Sequence, residues 1–140
     1  MAVSDNADAA RDLTAPSLEA FEALAGEAFA ALPDFVRAAC EGLLIRVEDF
    51  ADDDTLNQMG IEDGFELTGL YHGVSLIGRA SGDAVMPDEV WLFRRPIMDE
   101  WAARGDVTLG ALIAHVLVHE IAHHFGWSDA EIAAVDDWRL

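Results

Sequence analysis

The stretch VHEIAHHFGWSDAEI, residues 118–132, decides how the rest of the chain is read. It carries His119, Glu120 and His123 in the order H-E-x-x-H, followed by Gly126 and Asp129 at three-residue steps. The run from 107 to 125 predicts a helix, with Asp106 or Thr108 as its N-cap and Gly126 as the residue that ends it. Residues four apart on a helix share a face, one turn apart. His119 and His123 therefore turn both imidazoles to one side, where they can meet a single tetrahedral metal ion. Glu120 lies about 100° round the helix from His119. That puts it outside the ligand pair but within reach of a water beside the metal, as a general base requires.

A catalytic zinc takes three protein ligands and keeps one position open. Glycine at 126 can adopt the left-handed conformation and reverse the chain. A reversal there would bring the carboxylate of Asp129 back toward the imidazoles, completing the string H-E-x-x-H-x-x-G-x-x-D. Plainer readings stand beside each of these. His119 and His123 can be core residues of an apolar helix face, and Glu120 a solvated one. Asp129 can be a first-turn acid in a helix that Ser128 and Glu131 open as a capping box. His115, one turn before His119, is open to being a partner of the ligands, an alternative ligand or a core residue. His124 points away from His119 and reads as a surface or interface residue. Tyr71, the only tyrosine, is a candidate donor to the oxyanion of a tetrahedral intermediate, or an ordinary half-buried strand residue.

The rest of the chain frames this helix. At 140 residues it has room for one domain with a real core. Residues 1–15, rich in Ala, Asp and Asn, read as a frayed or disordered arm, and 16–140 as the domain. The net charge is −19 and all eight basic residues are Arg. Such a chain is repelled by a phosphate backbone, so no nucleic-acid partner is expected; basic peptides would be attracted, weakly and in a salt-dependent way. Cys40 is the only cysteine, so no internal disulfide marks an oxidising compartment. The acidic start MAVSDNADAARDL has no apolar signal region, and the apolar run VTLGALIAHVLV is too short to span a bilayer. A cytoplasmic protein with no membrane partner is the expectation.

PSLEAFEALAGEAFAALP predicts an amphipathic helix capped by Ser17, and PDFVRAAC a short second one. GLLIRVEDF alternates, with Leu44, Arg46 and Glu48 on one side and Ile45 and Val47 on the other, as a strand does. DDDTLNQMGI reads as an acidic loop with a short helical turn. ELTGLYHGVSLIGR reads as a β region broken by Gly69, Gly73 and Gly78, and ASGDAVMPD as a turn. EVWLFRRP is a third strand, stopped by Pro96, and IMDEWAARG a short helix closed by Gly105. The order predicts an α+β fold: a small, mostly antiparallel sheet with helices on one face.

HEIAHHFGWSD, with GLYHGVSL and VWLFRRPI upstream, resembles the short bacterial zincin-like metallopeptidase family, over most of the chain from about residue 17. The resemblance implies a minimal zincin-like fold, with the active-site helix beneath a small sheet and flanking helices. It implies one zinc ion held by His119, His123 and Asp129, with Glu120 as the base. Small secreted neutral proteases of the metzincin type also use an Asp third ligand. They carry a signal peptide and a Met-turn after the motif, and here no methionine follows Met98.

Two functions follow. The first is a zinc-dependent peptidase acting on a peptide or protein substrate, with Tyr71 and His115 as candidate oxyanion donor or support for the ligands. An extended peptide would then add to a sheet edge, for which EVWLFRR is the candidate, although an ordinary buried or half-buried strand is the stronger reading of that segment. The second is an inactive zincin-fold binding module that recognises a basic protein segment through the acidic surface.

Overall fold

The strand Glu89–Phe93 organises the molecule, because both of its faces are buried. In the computed structural model, which describes residues 15–73 and 88–126, Val90 and Leu92 point into the main core while Phe93 joins a second, smaller one. Such a strand reads as near-continuous apolar sequence, and EVWLF does. It is the centre of a three-stranded sheet in the order β1-β3-β2, with β1 Leu44–Glu48, β2 Gly69–His72 and β3 Glu89–Phe93. β1 runs parallel to β3, with Val47 opposite Leu92, and β2 runs antiparallel, with Tyr71 opposite Val90. The sheet is therefore mixed: the antiparallel expectation holds for β2–β3, whereas β1 reaches β3 by a crossover through the intervening elements. β3 is the buried strand that is the stronger reading of EVWLFRR, and not a peptide-binding edge. Its hydrogen-bonding groups are used on both sides, and among the described residues β1 and β2 are the edges.

Five α-helices accompany the sheet among the described residues: α1 Leu18–Ala30, α2 Asp34–Ala39, α3 Asp53–Met59, α4 Arg94–Arg104 and α5 Leu109–His124. The architecture is α+β and consistent with a minimal zincin-like fold. α5 packs against α1, α4, β2 and β3. Its buried residues Leu109, Leu112, Ile113, Val116, Leu117 and Ile121 recur at helical spacing and meet Phe21 and Ala25 of α1 and Val90 and Leu92 of the sheet. Each such side chain contributes about 1.5–3 kcal/mol of transfer free energy, before the cost of ordering it.

Several boundaries differ from the sequence reading for simple reasons. The acidic run 52–54 is a helix start rather than a loop. Asp52 caps α3 by accepting the Thr55 N–H at 2.8 Å; hydrogen bonding by the Thr55 side chain, and then by this N–H, lowers its pKa, and Asp53 and Asp54 sit at the positive end of the helix dipole. Pro96 does not stop a strand. The chain turns from β3 straight into α4, and Pro96 falls in the first turn, where its missing N–H has no intrahelical partner to lose. Arg94 holds this corner through Asp49 at 2.6 Å and the Pro16 carbonyl at 2.7 Å. The expected arm before residue 15, the Gly78 break, the turn at 80–87 and the Ser128–Glu131 capping box lie outside the described residues.

Gly69 is where the sheet meets the site helix. A Cβ there would stand 2.7 Å from Val116 Cγ1, 3.2 Å from Glu120 Cγ and 3.2 Å from the Trp91 carbonyl oxygen. Only hydrogen fits, and β2 lies close against α5 as a result. Gly26, exposed in the middle of α1, has nothing within 4 Å of its Cβ position. Gly69→Ala is therefore expected to cost about 1–3 kcal/mol by overpacking, and Gly26→Ala to add about 0.5–1 kcal/mol. Urea denaturation midpoints check both; a Gly69→Ala midpoint at or above wild type would contradict the close contact.

Candidate metal site

α5 begins at Thr108, whose hydroxyl accepts the Ala111 N–H at 3.0 Å, one of the two caps its sequence offered. The apolar stripe fixes the rotation of the helix, and that rotation sets His115, His119, Glu120 and His123 half-buried along its flank. The helix ends as expected. Phe125 is the C-cap, the Gly126 N–H donates to the His123 carbonyl at 2.9 Å, and Gly126 takes φ +85°.

The two histidines of the motif are side by side. Their ring centroids lie 5.3 Å apart with the planes at 73°. Two imidazoles on one tetrahedral ion, each ring centre about 3.2 Å from it, would have centroids about 5.2 Å apart. The observed separation is compatible with a shared ion. Glu120 stands next to them on the β2 side, its Cγ beside Gly69. Among the described residues, no group of three or more His, Cys, Asp and Glu side chains is placed to hold a metal ion. His115 thus does not complete a cluster with the pair, and Asp129, the expected third ligand, lies outside the described residues. Cys40 is buried in the main core, and that burial raises its thiol pKa, which keeps it protonated and a poor metal ligand.

Tyr71 takes part in a polar cluster with Asp88 and His124. Its hydroxyl donates to Asp88 Oδ2 at 2.9 Å and lies 3.3 Å from His124 Nδ1. His124 Nδ1 is 3.0 Å from the same carboxylate oxygen, and its Nε2 is 3.2 Å from the Ala39 carbonyl oxygen at the end of α2. His124 is 5% exposed and Asp88 6%. The expectation of a surface His124 is thus overturned. The helical wheel correctly turned it away from His119, but that direction leads into the space between β2, β3 and α2 rather than to solvent. Asp88 was read only as part of a turn. Nothing local marked it, since its partners are 17 and 36 residues away in sequence.

A groove of about 380 Å3 lies across the opposite face of the sheet, lined among others by Leu70, Trp91, Phe93 and Phe50. Two of its three acids serve the fold: Glu89 pairs with Arg46 at 2.5 Å and Asp52 caps α3. Its lining includes none of His119, Glu120 and His123.

A helix with H-E-x-x-H on its flank, packed against a small sheet, places the molecule in the zincin class. The model of the zincin-like metallopeptidase family matches residues 40–139, and the chain belongs to that family. The match takes in the whole sheet and α5, and leaves α1 and α2 before it. Membership implies a zinc cofactor. No curated protein sequence matches the chain. No helix among the described residues is long and apolar enough to cross a membrane.

The Gly126 turn is the geometric end of the motif, and its left-handed backbone gives a direct test. Gly126→Ala is expected to destabilise the fold by about 1–2 kcal/mol, and Gly126→Asn by less, since Asn tolerates that conformation better. Equal stability of Gly126→Ala and wild type in chemical denaturation would contradict the observed turn.

Proposed function

We propose that this chain is a zinc-dependent peptidase whose site is built on α5. The observation that carries the reading is the 5.3 Å separation of the His119 and His123 rings, with Glu120 beside them against β2. Family membership supports the same chemistry. His119 and His123 would hold the ion, and Asp129 would supply the third ligand beyond the Gly126 turn. Zinc in such a site supplies Lewis acidity and makes water a nucleophile near neutral pH.

The rest of the work falls to the chain's own residues. Glu120 takes a proton from the attacking water and returns it to the nitrogen of the leaving amine. β2, an edge among the described residues, runs past Glu120 because Gly69 admits no side chain. An extended substrate that pairs with this edge would carry its carbonyl past the carboxylate, by strand addition. The net charge of −19 favours basic peptides in the encounter, an attraction that salt screens.

Glu120→Gln keeps the size of the side chain and removes the base. It is expected to retain zinc and to lose about 10²–10⁴-fold in kcat/KM on any peptide that the wild type cleaves. Assay of both proteins on a mixed peptide library, with products read by mass spectrometry, checks this. Cleavage by the variant at the wild-type rate would remove Glu120 from the mechanism.

A further inference from the structure

We propose that the Asp88–His124–Tyr71 cluster is a positioning device for the metal site: it fixes the last turn of α5 and so aims the His123 imidazole. The inference rests on the metal reading of His119 and His123.

The need for such a device follows from where His123 sits. His119 lies within the part of α5 held by Val116, Leu117 and Ile121. Beyond Ile121, His124 is the only buried residue of the helix. A helix end also lacks intrahelical partners for its last carbonyls and tends to fray. Neighbouring residues on a helix point about 100° apart, so fixing the direction of His124 fixes that of His123. The margin is small. A ring nitrogen about 6 Å from the helix axis moves about 1 Å when the turn rotates by about 10°, whereas metal–ligand distances tolerate about 0.2 Å.

The cluster has the features that this task requires. It ties the last residue of α5 to three other elements: β2 through Tyr71, the entry to β3 through Asp88, and the end of α2 through the Ala39 carbonyl. Both ring nitrogens of His124 face oxygen atoms, so the plane of the ring is defined as well as its depth. An apolar side chain at 124 could fill the same space without the desolvation cost of a buried imidazole and carboxylate. What hydrogen bonds add to packing is direction. Asp88 is itself confined, because a Cβ on Gly73 would stand 2.4 Å from its Oδ1. The main chain leaving β2 therefore closes over the carboxylate.

Zinc affinity of the full chain, measured by competition with a coloured chelator, tests the proposal together with the visible spectrum of the cobalt(II) form. Circular dichroism of the metal-free proteins reports folding. Asp88→Ala is expected to weaken zinc binding about tenfold or more, the scale seen when support for metal ligands is lost, and to change the cobalt spectrum. Asp88→Asn, which keeps an acceptor oxygen, should recover most of the affinity and the spectrum. A cluster that only stabilises the fold would lower the unfolding midpoint and leave both metal readouts unchanged. A folded Asp88→Ala with zinc affinity within about twofold of wild type and an unchanged cobalt spectrum therefore overturns the proposal. If Asp88→Ala does not fold, Tyr71→Phe decides, and unchanged affinity and spectrum there overturn it equally. A wild-type chain that binds neither ion would overturn the metal reading along with this one. Tight wild-type binding with unaffected variants would overturn the positioning role alone.

Discussion

The close contact of α5 with β2 at Gly69 is the constraint on which the rest of the structure depends. Because residue 69 has no side chain, the strand lies against Val116 and Glu120. That brings an edge of the sheet alongside the H-E-x-x-H flank. The apolar stripe from Leu109 to Ile121 then fixes which way the helix is turned, and burial against α1 and β3 holds it there. The histidines are where they are because the stripe occupies the other side. Packing and chemistry are thus two faces of one helix, and a change in the rotation of α5 would move both.

Much of this was legible in the sequence, because it depends on local periodicity. α5, its Thr108 cap, the Gly126 turn and the alternation of β1 all follow from spacings within a few residues. H-E-x-x-H needs only the helix to be a helix for its two rings to converge. The order of the strands was not legible. A central strand and an edge strand differ in what lies beside them, and the pattern of EVWLF shows only that both faces are buried. The roles of Asp88 and His124 were hidden for the same reason. Their bond joins residues 36 positions apart, and a buried polar pair has no periodic signature. Gly69 read as a break in a β region, when its meaning is the approach of a helix that the strand itself does not announce.

The burial of polar groups divides cleanly in this small molecule. Asp88 and His124 are withdrawn from solvent and, with the half-buried Tyr71, are matched to hydrogen-bond partners, as buried polar groups must be to avoid their desolvation cost. The His119–Glu120–His123 flank stays half-exposed. On the metal reading, one histidine pair in sequence, His123 and His124, would be split between two tasks, the first ring facing the ion and the second anchoring the turn that carries it.

The central claim is that α5 presents a zinc site. Elemental analysis of tag-free protein after zinc loading and exhaustive dialysis, with the wild type beside His119→Ala, tests it most directly. One equivalent of zinc retained by the wild type and none by the variant is the result that the arrangement of His119 and His123 predicts. Equal zinc in the two proteins, or none in either, would contradict it and leave the H-E-x-x-H helix as a scaffold.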